Sequence, residues 1–205
     1  GNGYSVSFRL ENGFASDSGS QGDSSRLFNR EARLTVAGPF GELSAGRMGS
    51  LTSSAGYYDL FMGICDVYDG GYGSQNNAFG GGMMFYGVTR MDNTITYATP
   101  TFNGFTGYLQ YSSQVNGSDY ENTSFADRYA GVGISYTSGP LNVVAVVDTV
   151  KLSNIGDFAH LGSTKALSLG ATYDFGSFKL YVAGQYGKNE PYNGTFISAG
   201  LMDGY

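Results

Sequence analysis

The chain has 205 residues, with 33 Gly, 17 Tyr, 14 Phe and no Trp, and only 14% of it is charged, against roughly 25% in ordinary soluble domains. So many aromatics with so few charges exclude disorder, and a net charge of −6 argues against the basic surface that a nucleic-acid partner requires. A single cysteine (Cys65) and a single histidine (His160) leave no internal disulfide and no cysteine–histidine metal site.

Along the chain, period-2 alternation is the dominant signal, and it predicts strands. Tyr4, Val6, Phe8 and Leu10 alternate with Ser5, Ser7, Arg9 and Glu11. The stretch Leu27–Val36 is a less regular strand: Arg30 shares a face with Phe28, Ala32, Leu34 and Val36, while Glu31, Arg33 and Thr35 occupy the other. A short helical turn is expected near Tyr57 to Ile64. Further on, Met91, Asn93, Ile95 and Tyr97 alternate with Arg90, Asp92, Thr94 and Thr96, and Phe105, Leu109 and Tyr111 alternate with Thr106, Tyr108, Gln110 and Ser112. Val132, Ile134 and Tyr136 alternate with Gly131, Gly133 and Ser135; Leu167, Leu169 and Tyr173 with Ser168, Gly170 and Thr172; Phe178, Leu180 and Val182 with Lys179, Tyr181 and Ala183. The longest apolar run is Val143 to Val147, enough for one strand and far short of the about 18 residues a membrane helix needs.

The connections alternate in length. Short turns fall at "GPFG" (38–41), "TPTFNG" (99–104), "TSGP" (137–140) and "DFGS" (174–177). Long polar segments fall at 15–26, 48–87, 113–127 and 152–164. In an up-and-down sheet every second connection lies at the same end, so one end carries tight turns and the other carries loops, as in outer-membrane barrels. One face of each strand is Ser, Thr, Gly, Gln and charge. The other is aliphatic, with Tyr or Phe near the ends: Tyr4, Tyr97, Tyr111, Tyr136 and Tyr173. The pattern predicts an all-β, antiparallel up-and-down transmembrane β-barrel, the form in which strands can cross lipid with every backbone group paired. The competing expectation is a soluble or surface-exposed β-rich binding or adhesive protein.

Four stretches carry a family resemblance. "NREARLTVAGPFGELSAGRMGSL" (29–51), "RMDNTITYATPTFNGFTGYLQYS" (90–112), "FRLENGF" (8–14) and "YDFGSFKLYVAGQY" (173–186) resemble, in order and spacing, segments of the Gram-negative trimeric porins. The "GRMGSLTS" variant is most similar to porins of sulfate-reducing bacteria. The resemblance implies a barrel of about sixteen strands, of which about ten stand here. Strands at both ends of the full barrel are expected to be missing, and the chain to be a mature or excised piece of one barrel. It also implies a water-filled outer-membrane channel for passive diffusion of ions and small hydrophilic solutes. The implied protein is a homotrimer in contact with membrane lipid and lipopolysaccharide, with no cofactor, no metal and no catalysis.

On that resemblance, residues 48–87 form the loop that folds into the barrel and narrows the pore, and its acids Asp59, Asp66 and Asp69 face basic wall residues. A transverse field of this kind tunes ion preference. The wall candidates are Arg90 and Asp92, just after the loop, Arg30 of the R-E-A motif, and Arg9 with Glu11 on the polar face of the first strand. Arg90 is expected on the face of Thr94 and Thr96. An arginine facing lipid at mid-depth would cost roughly 2–4 kcal/mol, which favours inward placement. Early strands lie at the trimer centre in the family, so Arg33 and Arg47 are candidates for intersubunit contacts. The net charge of −6 does not decide selectivity, because external loops carry many acids; the lean is toward cation preference. An outer-membrane enzyme would need a Ser–His or Asp–His pair, and His160 stands in a polar loop with only Asp157 nearby.

Overall fold

The alternating segments form ten strands in the computed structural model, which describes residues 3–53, 56–65, 90–115, 125–152, 163–189 and 194–203; for Cys65 and 194–203 only the backbone is described. The strands are β1 (Ser5–Glu11), β2 (Glu31–Gly38), β3 (Gly41–Gly49), β4 (Arg90–Ala98), β5 (Phe105–Ser112), β6 (Arg128–Ser138), β7 (Leu141–Lys151), β8 (Lys165–Asp174), β9 (Phe178–Lys188) and β10 (Gly194–Asp203). Between β3 and β4 lies one helical turn, α1 (Met62–Cys65), inside the stretch where the sequence predicts one. The sheet order is β1 to β10 without crossover, and every described pairing is antiparallel. The last strand thus extends the meander past the final predicted alternation.

Tight turns join β2 to β3, β4 to β5, β6 to β7 and β8 to β9, all at one end. Gly41 and Gly104 hold two of them at positive φ (104° and 86°). A Cβ there would stand 2.2 Å from the Ala98 carbonyl oxygen or 2.4 Å from that of Thr137, so no other residue fits without moving the backbone. Aromatics crowd this end: Tyr4 stacks on Phe40, Phe105 on Tyr136, and Phe175 lies against both Tyr173 and Phe178. The Tyr97 hydroxyl donates to the Phe40 carbonyl at 2.6 Å. Amphipathic rings at one level are the girdle expected where a barrel meets a membrane interface.

The two faces of the sheet differ in what covers them. Val6, Phe8, Leu34, Ile95, Leu109, Val132, Val147 and Leu169 point to a bare face, and Phe8 is 75% exposed. The opposite face is polar yet buried: Thr35, Ser44, Thr96, Gln110, Ser112, Ser168, Thr172 and Gln185 all lie there. This inverts the soluble pattern, in which the apolar face is the covered one. The cover is the segment 50–65, whose Leu51, Tyr58, Phe61 and Ile64 pack against Val144, Val146 and Ala183 of the sheet. Glycines admit it. A Cβ at Gly133 would meet Leu60 at 2.9 Å, and one at Gly170 would meet Ile64 at 2.8 Å. The docking explains the valine run in β7. Val143 and Val147 belong to the bare face, while Val144 and Val146 form the floor under the segment.

One strand departs from strict alternation. Gly46 pairs with Thr94 and Met48 with Met91, so β4 carries an extra residue opposite Arg47. Asn93 absorbs it at φ 48°, the left-handed region that Asn tolerates better than most residues. The bulge reverses the phase of everything before it.

Candidate functional site

Four charged residues of the covered face lie together on β1 and β2. Antiparallel register sets Arg9 opposite Arg33 and Glu11 opposite Glu31, and period 2 brings all four to one face. Arg9 Nη2 lies 2.9 Å from Glu11 Oε2, and Arg9 Nε 3.1 Å from Glu31 Oε2. Arg33 Nε donates to Glu31 Oε1 at 2.5 Å, and Arg30 Nε donates to Glu11 Oε1. The result is a chain of alternating charge, Arg30–Glu11–Arg9–Glu31–Arg33, with three cations to two carboxylates. It grades from exposed to buried: the Arg9 side chain is 55% exposed, that of Glu31 only 3%. Carboxylates at the buried end are held by charge-assisted hydrogen bonds, the condition under which a buried charge is tolerated.

The buried end of this chain grips the docked segment. Arg33 places its guanidinium 4.4 Å from the ring centre of Tyr57 and 5.5 Å from that of Tyr58. Its Nη1 donates to Thr35 Oγ1 at 2.6 Å; Thr35 and Ser44 share a hydrogen bond of 2.7 Å, and Ser44 and the Tyr58 hydroxyl one of 2.5 Å. Tyr58 also donates to Glu42 Oε1. Burial first, then the neighbouring Glu42 carboxylate, pushes the Tyr58 phenol well above its ordinary range, so it remains a neutral donor. The covered face is thus a wall of charges with a segment of the same chain clamped to it.

The structure sorts the remaining candidates. Asp59 is a turn residue: its Oδ1 accepts the Phe61 N–H at 3.0 Å, at the entry to α1. Asp66 and Asp69 lie outside the described residues. Arg30 precedes its strand, because β2 begins at Glu31; its N–H is held by the Glu11 carbonyl at 3.1 Å. Arg90 is not on the face of Thr94 and Thr96. The bulge brings Met91 onto that face, fully buried, and sets Arg90 opposite Gly49, in phase with Arg47. Asp92 is likewise turned away, into contact with Arg47 Nη1 at 2.7 Å and Arg26 Nη1 at 2.6 Å. Arg47 pairs with Ala32, on the bare face of Leu34. Arg33 parts from it: the structure buries Arg33 on the inner side, because the odd residues of β2 point inward, so it is no partner for Arg47 at an outer surface. Tyr57, Tyr58 and Glu42 were not singled out in the sequence, since nothing in a strand pattern says which residues a non-strand segment will dock against.

These features, a bare apolar face and a polar face covered by a segment of the same chain, match known proteins. A sequence profile of the Gram-negative porin family matches residues 1–201. The chain belongs to the Gram-negative porin family. It is 32% identical over 192 residues to an outer membrane porin protein of Bordetella pertussis, a match covering 89% of this chain and 48% of that protein. It is also 32% identical over 186 residues to outer membrane porin protein 32 of Delftia acidovorans, covering 88% and 49%. The chain therefore spans about half the length of the curated relatives it matches. Among solved structures, an anion-selective porin from Comamonas acidovorans superposes with a TM-score of 0.62 at 25% identity, over 97% of this chain and 58% of that one. OmpT of Vibrio cholerae superposes with a TM-score of 0.53 at 14% identity, over 82% and 48%, a likeness of fold. As a porin of the outer membrane, the chain contributes an antiparallel up-and-down meander of the transmembrane β-barrel class.

Proposed function

We propose that this porin segment forms the wall and part of the constriction of a water-filled channel that passes ions and small hydrophilic solutes by passive diffusion. No step of this function is catalytic. The observation that carries the reading is the inversion of the faces: buried polar wall under a docked segment, apolar wall bare. A lumen needs the first and a lipid contact needs the second. The narrowing element is the segment beginning at Ser50, held by Arg33, Tyr58 and Glu42. The selective groups on the wall are Arg9, Glu11 and Arg30, the exposed members of the charge chain.

The sign of selectivity follows from the excess of arginine over carboxylate in that chain. It favours anions, against the lean toward cations in the sequence, and the anion-selective relative supports the same reading. Homotrimer assembly is part of the proposal. Its candidate contact is the Arg47–Asp92–Arg26 group beside the bare faces of β2 and β3, and Arg33 is left out of it.

The test is reversal potential under a salt gradient, measured on the full-length protein in planar bilayers. Wild type should give stepwise ohmic channels with anion preference. Arg9→Gln with Arg30→Gln should shift the reversal potential toward cations. Absence of channels would overturn the diffusion reading, and an unchanged potential would remove Arg9 and Arg30 from the selective wall.

A further inference from the structure

At the short-turn end of the covered face, a row of four residues runs across β2 to β5. Register sets Ala37 opposite Glu42, Glu42 opposite Ala98, and Ala98 opposite Tyr108. The two alanines leave the wall low on either side of Glu42. Two strand spacings of roughly 4.8 Å separate Glu42 from Tyr108, so a gap of about 10 Å opens over Ala98. The docked segment roofs it with Tyr57 and Tyr58, and the hollow measures about 480 Å³. Small-molecule sites are commonly of this size.

Its chemistry is that of a lone carboxylate among phenol rings. Glu42 accepts from the Tyr58 hydroxyl, and from that of Tyr57 at 3.4 Å. Among the described residues no cation forms an ion pair with it. Arg33, which touches the same two rings, is bonded instead to Glu31 at 2.5 Å. The hollow thus keeps a negative charge and suits a cation. A calcium ion takes about six to eight oxygens, and one carboxylate already shared by two phenols does not supply them. The hydroxyls at the rim are largely engaged: Thr101 with Thr106 at 2.9 Å, and Thr99 with the Gly107 N–H at 2.9 Å. A ligand that needs many hydrogen bonds, such as a sugar or a primary ammonium, finds few here. A quaternary ammonium needs none, and it is drawn both to the carboxylate and to the faces of aromatic rings.

We propose that this hollow binds a small trimethylammonium compound. The cationic head sits over Ala98, against Glu42 and among the rings of Tyr57, Tyr58 and Tyr108. Ligand and docked segment share Glu42 and the two tyrosines, so the bound cation rests against the root of the narrowing element, on its short-turn side. Arg9, Glu11 and Arg30 stand toward the opposite end of β1 and β2, so a cation site here coexists with a wall that prefers anions. The inference rests on the channel reading for access alone, since the hollow lies on the face assigned to the lumen.

The test is isothermal titration of the full-length protein in detergent with choline chloride, set against the uncharged tert-butyl isostere of choline. Wild type should bind choline at least about tenfold more tightly than the isostere. Glu42→Gln should remove that difference, and Tyr57→Leu should weaken choline binding about fivefold. Both substitutions touch the root of the docked segment, so Ala98→Leu is the second arm. It fills the hollow, leaves the carboxylate and the rings in place, and should abolish choline binding. Lys179→Gln, remote on β9, should not change it. Equal affinity for choline and its isostere would overturn the proposal. So would choline binding that persists in Ala98→Leu, or tighter binding of glucose than of choline, which would mark a polyol site. Single-channel recording separates the two readings: choline bound by a protein that forms no channels supports the site and defeats only the channel, and channels in a protein that binds no choline overturn the site alone.

Discussion

Arg33 joins two jobs that a porin wall must perform together. It neutralises Glu31, which is almost wholly removed from solvent, and it stacks on the two tyrosines that root the docked segment. Removing one partner of a buried pair strands the other charge, whereas replacing both is often close to neutral. Glu31 keeps Arg9 at 3.1 Å, so Arg33→Met should cost about 3 kcal/mol, the low end for a broken buried pair. Arg33→Met with Glu31→Gln should recover most of that stability. Denaturant unfolding of the full-length protein in lipid vesicles measures both. Recovery of stability should not restore the stacking, so open-channel noise should stay raised in the double variant. Equal losses in the single and double variants would mean that Arg33 matters for packing alone. The sequence already set Glu31, Arg33 and Thr35 on one face. It could not say which face was the lumen, because Arg30 seemed to belong to the same strand and spoiled the other side. With β2 starting at Glu31, the ambiguity disappears.

Within β4, one residue decides where three side chains go. Without an insertion at Asn93, Arg90 and Asp92 would follow Thr94 and Thr96 into the lumen, as alternation predicts, and Met91 would face lipid. With it, Met91 joins Val115, Tyr129, Val150 and Leu152 in a second inner cluster, and Asp92 meets Arg47 and Arg26. A bulge leaves little trace in a single sequence beyond an Asn in a strand, and "RMDNTITY" reads as unbroken alternation. The backbone conformation is testable apart from the side chains. Asn93→Gly should leave stability within about 0.5 kcal/mol, since Gly accepts positive φ. Asn93→Val should lose about 1–2 kcal/mol, because a β-branched residue meets the following carbonyl in that region. The urea midpoint of the full-length protein in vesicles is the readout, and a Val variant as stable as wild type would mean that β4 pairs in the regular register.

For the whole molecule, the exposed leucines are the most informative residues. Strand count, turn placement and the two faces were legible in the sequence, because period 2 and alternating connection lengths are direct consequences of an up-and-down sheet. The docking site of segment 50–65 was legible only in part: Val144 and Val146 break the polar face of β7, and an apolar floor on a lumen wall has no use unless something sits on it. What alternation alone leaves undecided is the solvent, since a soluble sheet with a covered polar face would produce the same pattern. Leu169, in mid-strand on the bare face and 50% exposed, separates the cases. On a soluble surface Leu169→Arg would change stability by no more than about 0.5 kcal/mol. Facing hydrocarbon at mid-depth, the arginine should cost about 2–4 kcal/mol, and the cost should shrink when the substitution is moved along the same face of β8 to Leu167 or Tyr173, nearer the strand ends. Unfolding of the three variants in lipid vesicles gives the depth profile. A flat profile would return the bare face to water and favour a surface-exposed β protein, while a profile peaked at Leu169 can arise only if these strands cross a membrane.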